Sequence, residues 1–179
     1  MLIRTPFFLG FSLLLAGCSS APDTYAPPVQ RQPLTVPAAS GSLSYFVSMS
    51  DPFASAYIVK DIADTTESGG WRWTYRRPEL RFFVPATAQH LYFTMDFSFP
   101  ERIFRETGPV TLTFTINGRP FDRSRFEKGG QLHYRKQVPP GLLQPDAENT
   151  VVIEPDRVWV SKTDGAALGF ILASAGFSE

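Results

Sequence analysis

From Leu43 onward the apolar residues recur at every second position, in one segment after another. Leu91, Phe93, Met95 and Phe97 alternate with Tyr92, Thr94 and Asp96, while Val110, Leu112, Phe114 and Ile116 alternate with Thr111, Thr113 and Thr115. A period of two puts one class of side chain on each face of an extended chain, so these segments read as half-buried strands. Residues 44–49, 56–61, 71–75, 79–84, 131–138, 150–154 and 167–175 are further strand candidates. Turn residues separate them at Asp51-Pro52, Gly69-Gly70, Asn117-Gly118, Gly129-Gly130 and Pro139-Pro140-Gly141. Only 54–65 could be argued as helical, and its β-branched Ile58, Val59 and Ile62 favour a strand followed by a loop. About nine strands without a convincing amphipathic helix predict an all-β fold, an antiparallel sandwich or barrel.

This pattern narrows the chemistry. Seventeen basic and seventeen acidic residues cancel, so no strong field draws the chain to nucleic acid, and no nucleic-acid partner is expected. Gly-x-Gly-x-x-Gly and Gly-Lys-Ser/Thr phosphate loops are both absent, which agrees with the lack of a parallel-sheet pattern. One cysteine and two histidines cannot build a thiolate and imidazole zinc cage, and no metal or other cofactor is expected. Asp156 and Asp164 flank a polar loop that would suit calcium, but no Asp-x-Asp-x-Asp-Gly spacing accompanies them. His90 and His133 are the best general-base candidates, yet no Gly-x-Ser-x-Gly elbow and no conspicuous acid cluster stands with them. The sequence reads as that of a non-catalytic protein.

The N-terminus carries Arg4 and then the apolar run Pro6-Phe7-Phe8-Leu9-Gly10-Phe11-Ser12-Leu13-Leu14-Leu15, ending in Leu15-Ala16-Gly17-Cys18. This order of charge, apolar core, small residues and the single cysteine resembles the bacterial lipoprotein signal, or lipobox. The resemblance implies a signal peptide over 1–17, cleavage before Cys18, and acylation of the Cys18 sulfur and its new α-amine. Each buried methylene adds ~0.8 kcal/mol of membrane affinity, so several acyl chains would anchor the protein in a bilayer effectively for good. Ser19 stands where an inner-membrane retention aspartate would, which by the same family rule implies a cell-envelope protein on the outer membrane, facing the periplasm or the cell surface. Residues 18–42 carry Pro22, Pro27, Pro28, Pro33 and Pro37 with few apolar residues and read as a tether, leaving 43–179 as the folded domain.

Within that domain, Arg72-Trp73-Thr74 opens a strand, Val110 to Asn117-Gly118 forms a strand and turn, and Val138-Pro139 with Leu142-Leu143 follow. Asn149-Thr150-Val151-Val152-Ile153 and a closing Leu168-Gly169-Phe170 complete the order. Together these resemble the small jelly-roll domains found beside bacterial glycosyltransferases and sugar-active enzymes, related in shape to carbohydrate-binding modules. The resemblance implies an antiparallel, jelly-roll-like β-sandwich and a polysaccharide ligand. On this reading the domain would stand on a lipid anchor, a departure from the family pattern, in which it accompanies a catalytic domain.

Sugar sites pair aromatic faces, which cover apolar C–H patches, with polar groups that bond hydroxyls. Trp71, Trp73 and Tyr75 share one face of a strand, with Arg72, Thr74 and Arg76 on the other. Because one face of that strand must enter the core, the tryptophans are also its natural filling. Trp159 lies in a polar loop and is a further candidate. The ligand-binding candidates are thus Trp71, Arg72, Trp73, Tyr75, Arg76 and Trp159. A second reading is a structural or assembly lipoprotein that binds a protein partner in the envelope. Sugar binding predicts at least two of the four aromatics exposed together on one concave face; protein assembly predicts a flat apolar patch or an open sheet edge. An enzyme predicts two carboxylates, or a histidine and a carboxylate, converging in a pocket.

Overall fold

The alternation is realised as strands. The computed structural model describes residues 43–66 and 70–179; the signal peptide expected over 1–17 and the acylated Cys18 and tether expected over 18–42 lie outside the described residues. The strands are β1 (Phe46–Ser48), β2 (Ile58–Ile62), β3 (Arg72–Val84), β4 (Tyr92–Phe99), β5 (Val110–Ile116), β6 (Arg119–Phe126), β7 (Gly130–Gln137), β8 (Ala147–Pro155), β9 (Trp159–Val160), β10 (Ala167–Leu168) and β11 (Ile171–Ser178). One helix, α1 (Glu101–Thr107), sits between β4 and β5.

Nine strands form one antiparallel path, β6-β5-β8-β3-β11-β4-β7, with β1 beside β11 and β2 beside β3; β9 and β10 pair separately. Strand β3 is the hinge of this path. Its end, Glu79 to Val84, pairs with β8, whereas Arg72 and Trp73 pair with β11. The path curls there, and β1, β11, β4 and β7 come to face β2, β3, β8, β5 and β6. Aromatic rings fill the space between: Phe93 of β4 meets Phe114 of β5 at 6.1 Å, Phe82 of β3 meets Phe177 of β11 at 5.6 Å, and Phe97 meets Phe126 of β6 at 5.1 Å. Burying each such ring contributes about 1.5–3 kcal/mol, and edge-to-face pairing adds about 0.5–1.5 kcal/mol per pair. The path is open, ending at β6 and β7, so the fold is a jelly-roll-like sandwich, not a closed barrel. Side chains fasten the two ends: the Tyr134 hydroxyl of β7 donates to Asp122 Oδ2 of β6 at 2.7 Å, and Lys136 Nζ lies 3.4 Å from Asp122 Oδ1.

Five details differ from the sequence reading. The strands expected over 71–75 and 79–84 are one strand of 13 residues, uninterrupted at Pro78. Proline cannot donate to a ladder, but Pro78 is buried on the inner face, and the preceding Arg77 N–H donates to the Asp61 carboxylate at 2.9 Å in the bulged pairing with β2. Strand β6 was not anticipated, because Arg119, Asp122, Arg123 and Arg125 mask its alternation and only Phe121 and Phe126 pack on the core. It pairs with β5 across the Asn117-Gly118 turn, whose φ values of 50° and 73° give the twist that a two-residue hairpin needs. Helix α1, seven residues long, is too short to declare a period; it ends at Gly108, whose N–H donates to Phe104 O. The segment over 54–65 opens with a 3-10 turn, Ala54–Tyr57, before β2, and the strand expected over 167–175 is divided between β10 and β11.

Candidate functional site

The outward faces of the two halves differ in kind. On the β3–β8 side, charges answer one another across neighbouring strands. Lys60 meets Glu79 at 3.3 Å, Arg77 meets Glu154 at 3.6 Å, and Arg81 meets Glu148 at 3.8 Å. Each exposed pair adds little stability, but together they leave a solvated face with its charges matched. On the other side, β3, β11, β4 and β7 present aromatic, hydroxyl, amide and imidazole groups around a groove of about 480 Å³.

Strand parity decides what reaches that groove. Leu80, Phe82 and Val84 point to the core at the end of β3, and on the other side of an irregular stretch, where Arg76 and Arg77 are both exposed and the pairing with β2 shifts, Arg72 and Thr74 are buried. The odd residues Trp71, Trp73 and Tyr75 are left outside, half-buried. The choice between core and surface left open for these residues is thereby answered in favour of the outer face. The assignment of Arg72 to a ligand is corrected, since Arg72 is 4% exposed and committed. Its Nη1 donates to Ala63 O at 3.1 Å and to Asp64 O at 2.6 Å, holding the segment after β2, and Nη2 lies 3.4 Å from Ser55 Oγ. Arg72 Nε is buried without a partner, whereas Thr74 Oγ1 both donates to Phe170 O and accepts from Phe170 N–H, so the second inward polar group is satisfied.

Two cross-strand rows build the groove. Register places Trp73 of β3 opposite Ile171 of β11, Ile171 opposite Ser98 of β4, and Ser98 opposite Gln131 of β7. The next row runs Ser48, Ser174, Asp96, His133 across β1, β11, β4 and β7. A bulge in β11 between Leu172 and Ser174 brings Ser174 level with Asp96. Trp71 lines the groove with Ile171, Ser98, Gln131, Asp96 and His133, and the Trp73 ring stands edge-on to it, 6.0 Å between centroids at 87°. One wall is flat and apolar, the other carries hydrogen-bonding groups.

Asp96 and His133 form the polar centre. His133 Nδ1 lies 2.8 Å from Asp96 Oδ1, and Ser174 Oγ donates to Asp96 Oδ2 at 2.8 Å. The hydrogen bond from His133, with that from Ser174 and the nearby imidazole, outweighs partial burial and holds the Asp96 carboxyl below its ordinary range. An ionised carboxylate only accepts, so Nδ1 carries the proton and Nε2 is the ring nitrogen left for a ligand. A histidine and a carboxylate therefore do converge, but Ser174 is bonded to the carboxylate and not to the imidazole. Among the described residues no group of three acidic, histidine or cysteine side chains could hold a metal ion.

The other candidates are dispersed. Tyr75 and the exposed Arg76 lie farther along β3 and do not line the groove. Trp159 pairs with Leu168 in the β9–β10 ladder and donates Nε1–H to Glu106 Oε2 of α1 at 2.7 Å, which ties it to the helix. The sequence reading does not single out Asp96, Ser98 or Gln131, and takes His133 only as a general-base candidate. Their only sequence signal is that they are the polar alternates of two strands, and nothing local says those strands are neighbours.

The sequence matches no protein-family model and no curated protein. Solved structures with a similar chain trace include a family 35 carbohydrate-binding module from Clostridium thermocellum, 12% identical, with 75% of this chain and 98% of that one covered and a TM-score of 0.44. A family 36 carbohydrate-binding module in complex with calcium and xylotriose is 9% identical, covering 74% and 98%, with a TM-score of 0.43. An exo-β-1,3-galactanase from Phanerochaete chrysosporium, solved with β-1,3-galactotriose, is 9% identical with a TM-score of 0.42; the match covers 76% of this chain but 29% of the galactanase chain.

Proposed function

We propose that this chain is a lipoprotein of the cell envelope whose β-sandwich binds carbohydrate without transforming it. The observation that carries the reading is the groove itself, where the half-exposed Trp71, backed edge-on by Trp73, lies across from Ser98, Gln131, Asp96 and His133. A sugar ring has an apolar C–H face and an equatorial rim of hydroxyls, and such a groove offers a partner to each. Both Asp96 oxygens are already engaged, and this supports a fixed hydrogen-bonding wall over a carboxylate poised for proton transfer. Leu15-Ala16-Gly17-Cys18 supports acylation at Cys18 and retention on the outer membrane, with residues 18–42 as the tether between lipid and domain.

The test is a glycan array and polysaccharide pull-down with the full-length protein in detergent, repeated with Trp71→Ala. Truncating a central aromatic contact costs about 1–2 kcal/mol or more, so retention should weaken by about tenfold while the thermal midpoint hardly moves. Saturable binding that survives Trp71→Ala unchanged would remove the groove as the site. Silence across all glycans would favour an envelope protein partner instead, and release of reducing ends or acyl groups would make the protein an enzyme.

A further inference from the structure

We infer that the groove takes an uncharged saccharide and discriminates against glycans bearing uronate, sulfate or phosphate groups, an inference that rests on the groove being a sugar site. Among the described residues, the only ionisable side chains lining it are Asp96 and His133, and neither lysine nor arginine contributes to the wall. Anion recognition normally recruits arginine or lysine, and the two cations of β7 are engaged away from the groove. Arg135, two residues along β7, places its guanidinium 3.5 Å from the Tyr92 ring centroid and donates to the Glu179 carbonyl at 3.1 Å. Lys136 belongs to the opposite face of β7 and serves Asp122.

A ligand anion would meet the Asp96 carboxylate at the centre of the groove and, among the described residues, no lysine or arginine in its lining. A polyol, by contrast, finds groups that both donate and accept in Ser98 and Gln131, and a ring nitrogen in His133. The basic run around Arg72, Arg76, Arg77 and Arg81, which could have met an acidic glycan, is not part of this wall; Arg72 is buried, and Arg77 and Arg81 face glutamates.

The experiment uses full-length protein in detergent and matched probes: neutral β-glucan, xylan and galactan, and the carboxymethyl derivative of each, at about pH 8, where histidines in general are uncharged. The backbone that binds should bind at least about fivefold more weakly once carboxymethylated, in line with like charges at contact range. The difference should narrow in about 1 M NaCl, where the screening length falls to about 3 Å, and in Asp96→Asn, whose folding is checked by its melting curve. The salt series needs no variant and stands if Asp96→Asn does not fold. Equal or tighter binding of the carboxymethyl forms would overturn the inference and leave the sugar site standing. Absence of binding to every probe, together with silence on the glycan array, would overturn both.

Discussion

Replacing Tyr134 by phenylalanine should remove one hydrogen bond from the seam between β6 and β7 and nothing else. The Tyr134 ring is stacked on Phe114, 4.3 Å between centroids and 10° between planes, and phenylalanine keeps that contact. What is lost is the hydroxyl donated to Asp122 Oδ2 at 2.7 Å. Burial works to push the Asp122 carboxyl up, but hydrogen bonds from Ser124, Tyr134 and the Arg123 backbone, with Lys136 nearby, hold it below the ordinary carboxylate range. Burial and the Asp122 charge push the Tyr134 phenol upward, so it remains a donor. A hydrogen bond to an ionised acceptor contributes about 1.5–3 kcal/mol, and the Asp122 side chain is only 14% exposed, so water replaces the donor poorly. The expected loss is about 2 kcal/mol at neutral pH, a fall of about 1 M in the urea midpoint for an m value near 2 kcal/mol/M.

The pH dependence gives this prediction its sign. Asp122 has a depressed folded pKa, so its contribution is present above the unfolded carboxylate value of about 3.9 and is lost as pH falls through the folded value. Once protonated, Asp122 accepts from a neutral pair, a bond of about 1 kcal/mol. Urea titrations followed by tryptophan fluorescence at about pH 7, 5 and 3 should therefore show the gap between wild type and Tyr134→Phe narrowing below about pH 4. The variant should lose less stability than wild type over that interval, because without the Tyr134 hydroxyl its Asp122 is less depressed. A gap below about 0.5 kcal/mol at neutral pH, or one that does not change with pH, would refute the seam as an electrostatic clasp.

Three further outcomes follow from the same coordinates. Asn149 is fully buried, its Oδ1 accepting from Gln144 N and Asn117 Nδ2 and its Nδ2 donating to Gln144 O and Ala147 O, so Asn149→Ala should cost about 3 kcal/mol in chemical denaturation by orphaning several partners. Gly169→Ala would bring a Cβ 2.5 Å from Tyr75 O and 3.0 Å from Thr74 Oγ1, displacing the β10–β11 junction from β3; a drop of several degrees in Tm is expected, and an unchanged Tm would show that the approach is not tight. Cys18→Ser should move the protein from the membrane fraction to the soluble fraction and abolish labelling by a radioactive or clickable fatty acid, whereas continued labelling would exclude acylation at this sulfur.

The all-β architecture was legible in the sequence because alternation is a local property. Phe93, Met95 and Phe97, or Leu112, Phe114 and Ile116, announce a buried face whatever strand lies beside them, and Asn117-Gly118 announces its turn by backbone preference alone. The Leu15-Ala16-Gly17-Cys18 signal is local in the same sense. The site was not legible, for two long-range reasons. Whether Trp71 and Trp73 enter the core depends on how β3 passes Arg76, Arg77 and Pro78, where its pairing with β2 shifts, and treating 71–75 as a separate strand left that open. Whether Asp96 meets His133 depends on β4 and β7 being neighbours, on their register, and on the bulge that brings Ser174 alongside. Alternation tells each residue which face it occupies; only pairing between strands far apart in sequence decides which side chains share that face, because hydrogen-bonded register is a property of two strands and is written in neither alone.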